Sequence, residues 1–350
     1  HDKAHGQLAA RVAATSVSSY CSLHVQRLKT EPEAVLREAF SAAHGAVREA
    51  FEALPSVRRV ASPAADGPFL LEWVEDLEAD EDGTYKWDAS EGGTTATVVV
   101  VLRGQVVIAA IGDSSAVLFG RTEGGSAVSE LMIEEHGPTR VDEFERMRSA
   151  NGKADESLRF VYDCPDGELI NIFAKGEDGA YRFSKEAERE ADKHDCAVKN
   201  SRGDLLTVVM IPEGEVEVPL EAGAAVGGGQ KVVVEEQNIA MTRSIGDFYA
   251  HHHGVNCEPE IRILEAADFA ARGWQRPHML LASDGVWDLW SFDEVASGLL
   301  PTADAPIDAD SVAAFCEATR ARGDDYFGES ADNLTGILVD LSSLLAKQPS

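Results

Sequence analysis

A chain of 350 residues is long enough for one large domain or two medium ones, with ample material for a core. Its hydrophobic fraction of 44% suits a globular protein, and 61 acids against 31 bases give a formal charge of −30. That balance excludes non-specific nucleic-acid binding and attraction to anionic membranes, which need a basic surface. Two readings of the acids remain: a solubility device, or carboxylates gathered around divalent cations.

In chain order, His1 to about Lys29 reads as a helix of small residues. Thr30 to Glu33 has the form of a capping box, with Pro32 in the first turn of a second helix. Val35, Phe40, Ala43, Val47 and Phe51 follow close to a 3.6-residue period, and this helix should end near Pro55. Asp66 to Glu91 is strongly acidic, with Lys86 its only base, which predicts a solvated loop or a weak helix. "TTATVVVVLRGQVVIAAIGDSSAVLFGR" reads as three antiparallel strands turning at Gly104 and at Gly112-Asp113. Arg103, Gly104 and Gln105 interrupt its apolar run, so no membrane insertion is expected. A helical "TRVDEFERMRSANG" comes next. Lys153 to about Gln237 carries hairpin signals ("CPDGEL", "KGEDGA", "SRGDLL"), a charged helix "SKEAEREADKHD" and a glycine connector "GGGQK". The last third alternates strands ("HMLLAS", "LTGILVDL") with helices ("FDEVASGLL", "DSVAAFCEATRAR"). Meanders flanked by helices indicate an α+β fold.

Cys21, Cys164, Cys196, Cys257 and Cys316 are scattered and contain no C-x-x-C pair, which fits free thiols in a reducing compartment. An intracellular, cytoplasmic location is expected. The chain begins at His1, so further residues are expected upstream, and a targeting signal there is left open.

Four places set an aspartate at a strand end or tight turn: "IGDSSA" (Asp113), "SIGDF" (Asp247), "ASDGVWD" (Asp284, Asp288) and "SADNLTGIL" (Asp332). Each alone reads as a turn residue, since carboxylates there bond nearby amides. Together they could hold Mg²⁺ or Mn²⁺, which prefer carboxylate oxygen and water. A pair of such ions activates water and clamps a phosphoryl group during in-line displacement.

The segments "GGTTATVVVVLRGQVVIAAIGDSSAVL", "EEHGPTRVDEFERM", "NIAMTRSIGDF", "EPEI", "LLASDGVWDLWSFDEV" and "DNLTGILVDL" stand in the order of motifs in a known family. The chain resembles the metal-dependent type 2C protein serine/threonine phosphatases over about Gly92 to Leu341. The resemblance implies a four-layer α-β-β-α sandwich of two mainly antiparallel sheets, and hydrolysis of phosphoserine and phosphothreonine in phosphoprotein substrates. Asp284 and Asp332 would ligate the pair of Mg²⁺ or Mn²⁺ ions, and Asp113 with Asp284 and Asp288 a weaker third site. "HDKAHGQLAARV" fits the plant-type spacing with His1 as the last residue of an Asp-Gly-His motif. In the family that histidine is a candidate general acid, and an ordinary pKa of about 6.5 suits the role. No phospho-enzyme intermediate is expected.

Departures accompany the resemblance. The Asp and Gly before His1, and the upstream strands, are absent from the chain, so a single domain lacking its first strands is expected over residues 1–350. Asp2 as a substitute ligand has the wrong spacing to His5. Ser115 replaces the arginine usual after Gly-Asp-Ser. Residues 154–236 read as an insertion in the flap region, and a protein partner could dock there. The alternative function is a catalytically inactive, phosphatase-like scaffold. His251 to His253 read as a polar loop, "GGGQK" lacks phosphate-loop spacing, and His136 is expected in a structural turn. The five tryptophans form no stacking platform for nucleic acid.

Overall fold

In the computed structural model, which describes residues 5–60, 69–73, 87–89, 92–102, 104–150, 158–164, 167–193, 206–218, 230–300, 307–331 and 333–342, the helical start divides in two. Helix α1 (Gly6–Leu23) buries Ala9, Ala13 and Val17, a stripe spaced by four residues that lets it lie close along α2 (Pro32–Glu52). The expected capping box does not form. Glu31 takes the N-cap position without a side-chain bond, and the Thr30 hydroxyl donates back to the Arg27 carbonyl at 3.3 Å. Thr30 therefore closes the preceding 3-10 turn, Arg27–Lys29, instead of opening the helix. Helix α2 buries Val35, Leu36, Ala39, Phe40, Ala43, Val47 and Phe51, as its period requires. Burying Phe40 and Phe51 contributes roughly 1.5–3 kcal/mol each relative to leaving them exposed.

The predicted meander is β1 (Ala96–Leu102), β2 (Gln105–Ile111) and β3 (Ser115–Arg121), continued by β4 (Ala127–Leu131). Next come α3 (Val141–Ala150), β5 (Arg159–Asp163), β6 (Leu169–Asn171), α4 (Lys185–Lys193), β7 (Leu206–Ile211) and β8 (Gln237–Ile239). They are followed by α5 (Phe248–His252), β9 (Glu260–Glu265), α6 (Ala266–Arg272) and β10 (Gln275–Ala282). The described chain ends with α7 (Asp284–Trp287), α8 (Phe292–Leu299), α9 (Ala309–Phe327) and β11 (Gly336–Asp340).

Side-chain alternation along β2 and β3 builds the layers. Two antiparallel sheets form, one ordered β9-β2-β1 and the other β11-β10-β3-β4. On β2, Val107, Ala109 and Ile111 face the core shared with α1 and α2. Its alternate residues Val106, Ile108 and Ala110 instead meet Ala116 and Leu118 of β3 and Met279 of β10. The far face of the second sheet, Val117, Phe119, Leu280 and Ala282, packs on Val295, Ala296 and Leu299 of α8. Helices, sheet, sheet, helices: the expected α-β-β-α sandwich is present. Burial on both faces explains why "VVIAAI" is an unbroken apolar run rather than an alternating one.

Residues 154–236 supply β6, β5 and β7 of a separate four-stranded sheet, ordered β6-β5-β7-β8, whose edge strand β8 follows directly after them. Its Phe160, Tyr162, Val209 and Ile211 join the core that α1 and α2 share with Phe144 and Met147 of α3. The Phe144 ring lies 5.0 Å from that of Phe160, 4.8 Å from Phe173 and 4.9 Å from Tyr181. Hairpins stand at "CPDGEL" and "KGEDGA" as predicted, and α4 covers the charged helix. The "SRGDLL" turn and the glycines of "GGGQK" lie outside the described residues.

Asp66 to Glu91 departs from its expectation. Phe69–Trp73 and Trp87–Ala89 are strands that join Val57–Val60 in a three-stranded antiparallel sheet. The apolar "FLLEW" supplies the β-propensity that the surrounding acids hid. Cys21, Cys164, Cys257 and Cys316 are free thiols. Among the described residues no helix is long and apolar enough to cross a membrane.

Candidate active site

The second sheet carries Asp113 and Asp284 next to the ends of two adjacent strands, β3 and β10. In the antiparallel β10–β3 ladder the last pair is Ala282 with Ser115, so the ladder ends two residues before Asp284 on one strand and starts two residues after Asp113 on the other. On the other side Ala282 pairs with Gly336 of β11, which follows the Asp332 segment. Beyond Ala282 the chain turns through Ser283 into α7, and Ser283 clasps the neighbouring loop. Its amide donates to the Thr335 carbonyl (3.0 Å), and the Thr335 amide donates to its hydroxyl (3.2 Å). Gly285 is seated so tightly that a Cβ there would lie 2.7 Å from the Asn333 carbonyl oxygen.

Asp284 is half-buried, and its Oδ1 accepts from the Gly285 amide at 2.9 Å. The Asp288 amide donates to the Asp284 carbonyl at 2.7 Å, which places Asp288 one helical turn on. The Trp287 indole donates to the Ala282 carbonyl at 2.9 Å, and with Val286 and Leu289 it anchors the turn in the core. Asp288 lines a cavity of about 390 Å³ towards α9, together with Arg320, Asp324 and Asn333.

Asp113 sits in a turn held from both sides. Gly112 has φ +86°, and a Cβ on it would lie 2.2 Å from the Thr95 methyl, so only glycine fits. Thr95 and Ser114 share a hydroxyl hydrogen bond of 3.0 Å, and the Thr97 hydroxyl donates to the Ser114 carbonyl at 2.9 Å. From the opposite side the His136 amide donates to the Gly112 carbonyl at 2.9 Å. Ser115, at the family's arginine position, is buried in the ladder.

Sequence reading missed the buried group that supports this edge. Glu143 of α3 is 1% exposed and accepts from Arg146 (2.7 Å), from Arg243 and from the Thr242 hydroxyl (2.7 Å). Burial alone would raise its pKa, but hydrogen bonds from Arg243 and Arg146 outweigh that and hold it at about 2. Thr242 in turn donates its amide to the His136 carbonyl (2.8 Å), and its single hydroxyl proton is shared between Glu143 and that same carbonyl (2.9 Å). A glutamate at the third helical residue, spaced three from Arg146, was the available signal.

Asp247 is fixed differently. Ile245–Gly246 pairs with Gly93–Thr94, and Asp247 takes a left-handed conformation, φ 46°, with its amide on the Gly92 carbonyl at 3.0 Å. A Cβ on Gly93 would lie 2.0 Å from the Asp247 carboxylate. Gly93→Ala is therefore expected to destabilise the protein by about 1–3 kcal/mol. A lower urea midpoint at constant m would show this; an unchanged midpoint would mean that the carboxylate moves aside freely.

His251 does not lie in a polar loop. It belongs to α5, and its ring stacks on that of His44 with centroids 4.3 Å apart. The Gly246 amide faces His44 Nδ1 at 3.3 Å and an Arg48 Nη faces Nε2 at 3.3 Å, so an added proton has no acceptor. Burial first, then the Arg48 charge, lowers the His44 pKa from 6.5 to about 4; burial also lowers that of His251 well below its ordinary value. Between pH 6.5 and about 4 only the unfolded chain binds the His44 proton, so stability is lost as pH falls through that window. His44 alone should account for about 3 kcal/mol of the loss, and His44→Gln should flatten the decline in a pH series of urea melts.

Asp113, Asp284 and Asp288 offer only hard oxygen donors, which fits Mg²⁺ or Mn²⁺ chemistry. Asp332 and His1 lie outside the described residues, and among the described residues no group of three or more His, Cys, Asp or Glu side chains is gathered closely enough to hold a metal.

A family model described as "Protein phosphatase 2C" matches residues 8–162 and 222–302. "Probable protein phosphatase 2C 61" of Arabidopsis thaliana is 25% identical over 265 residues, 75% of this chain and 59% of that protein. "Probable protein phosphatase 2C 68" of Oryza sativa subsp. japonica is 25% identical over 300 residues, 80% of this chain and 58% of that protein. This chain thus spans just under three fifths of the length of these relatives. Among solved structures, a serine-threonine phosphatase 2C from Toxoplasma gondii aligns with TM-score 0.49 and 15% identity, covering 94% of this chain and 75% of its own. With the family model matching more than half of its length, the chain belongs to the protein phosphatase 2C family.

Proposed function

We propose that this chain is the phosphatase domain of an enzyme that hydrolyses phosphoserine and phosphothreonine in proteins with Mg²⁺ or Mn²⁺. The observation that carries the reading is the β10–β3 ladder, which ends at Ala282 and Ser115, each two residues from an aspartate (Asp284 and Asp113), while β11 pairs with Ala282 through Gly336, just after the Asp332 segment. In this reading Asp284 and Asp332 hold the metal pair, and Asp113, with Asp284 and Asp288, serves a third ion. Bound metal would supply Lewis acidity, lowering the pKa of water and neutralising phosphoryl oxygens. His1 protonates the departing serine or threonine oxygen. The Ser283–Thr335 clasp and the buried Trp287 keep Asp284 fixed, so little ordering of the ligand is left to metal binding. Residues 154–236 are an insertion in the flap region and offer a docking surface to a protein partner. In support, the two segments matched by the family model leave a gap that falls inside this range.

Release of inorganic phosphate from a phosphothreonine peptide tests the reading in the full-length protein. Turnover with Mn²⁺ that is abolished by a chelator is the expected result. Mn²⁺-independent turnover, or none, contradicts it.

A further inference from the structure

The Gly112–Asp113 turn reaches the core through one side chain that the proposed chemistry does not use. His136 is fully buried. Its Nδ1 lies 3.4 Å from the Gly112 carbonyl oxygen, and its Nε2 lies 3.4 Å from a Glu260 carboxylate oxygen. Its backbone works in parallel, with the amide on the Gly112 carbonyl and the carbonyl held twice by Thr242. Thr242 is bonded to Glu143, and Glu143 is pinned by Arg146 and Arg243. Arg146 and Arg243 end on the Gly254 (2.7 Å) and Glu258 (2.8 Å) carbonyls, so the chain of contacts is anchored at both ends.

We propose that His136 is a positioning residue for Asp113, transmitting the rigidity of the Glu143 cluster to the Gly112–Asp113 turn at the site edge. Its consequence for metal rests on the reading of Asp113 given above. The ring lies between the Gly112 carbonyl and the Glu260 carboxylate of β9, so it packs the turn against the first sheet while the ladder joins it to the second.

The test uses the full-length protein without metal and follows amide exchange. In His136→Ala the amides of residues 136 and 242 should exchange about tenfold faster, while that of Leu280 in β10 keeps its rate. His136→Asn returns a polar group to the Nδ1 position and should restore protection to within about threefold. Uniform acceleration that includes Leu280, or no acceleration, would overturn the proposal, because a merely structural role acts through global stability. Calorimetric Mn²⁺ binding supplies the second readout. Asp113→Asn and His136→Ala should each weaken it, and the double variant should bind no more weakly than Asp113→Asn. Additive losses contradict action through Asp113. If Asp113→Asn alone leaves binding intact, the ligand role of Asp113 fails, and the exchange rates still decide whether His136 positions the turn.

Discussion

Replacing Asp284 by asparagine is expected to lower kcat about a hundredfold or more while leaving the fold intact. Asparagine keeps an oxygen for the Gly285 amide, so the turn into α7 can still form. Folding stability should change by no more than about 0.5 kcal/mol. The lost carboxylate charge is what a divalent ion would feel, and two decades in rate correspond to about 3 kcal/mol of transition-state stabilisation. Hydrolysis of p-nitrophenyl phosphate at saturating Mn²⁺ reads the effect. Retained activity would reduce Asp284 to a turn residue, the plainer reading of any Asp-Gly pair.

Glu143→Ala should be the most destabilising single change near the site, by about 3–5 kcal/mol, because it removes a buried carboxylate and leaves two partly buried guanidinium groups without it. Arg146 would keep the Gly254 and Thr242 carbonyls (2.7 and 2.9 Å), and Arg243 the Glu258 carbonyl (2.8 Å), but no counter-charge would remain within the cluster. Against a total stability of about 5–15 kcal/mol that is a large fraction. Urea denaturation of the full-length protein measures it. The pH dependence has a definite sign: with its carboxyl held at about 2, Glu143 stabilises the fold above its ordinary value of 4.5, and this is lost as pH falls from 4.5 towards 2. That window overlaps the one assigned to His44 only between about 4 and 4.5, so most of the two losses separate in an acid titration. Loss of less than about 1 kcal/mol in the alanine variant would place the charge of Arg243 in solvent rather than in the core.

Much of the sandwich was legible because its signals are local and repeated. "VVIAAIGDSSAVLF" combines β-branched residues with Gly112 at a turn that tolerates no Cβ, and both strands and turn stand where the pattern put them. Helix α2 likewise follows its 3.6 period. The strands at Phe69–Trp73 and Trp87–Ala89 were hidden by acids that report solvation rather than pairing. Thr30 to Glu33 spelled a capping box, but a competing bond to Arg27 won the hydroxyl. His251 read as one of three polar neighbours because its burial depends on His44, two hundred residues away. At the site, sequence named the aspartates through their motif resemblance. It could not show that the β10–β3 ladder ends close in sequence to both Asp284 and Asp113, nor that Glu143, Thr242 and His136 brace the Gly112 turn, because those relations exist only across strands and helices.

Crystals of the full-length protein soaked in Mn²⁺, with data at the manganese absorption edge, put the most direct question to the metal site. Anomalous peaks bonded to carboxylate oxygens of Asp284 and Asp332 are expected. Peaks confined to other surface acids, with both of these carboxylates left to backbone hydrogen bonds, would contradict the assignment.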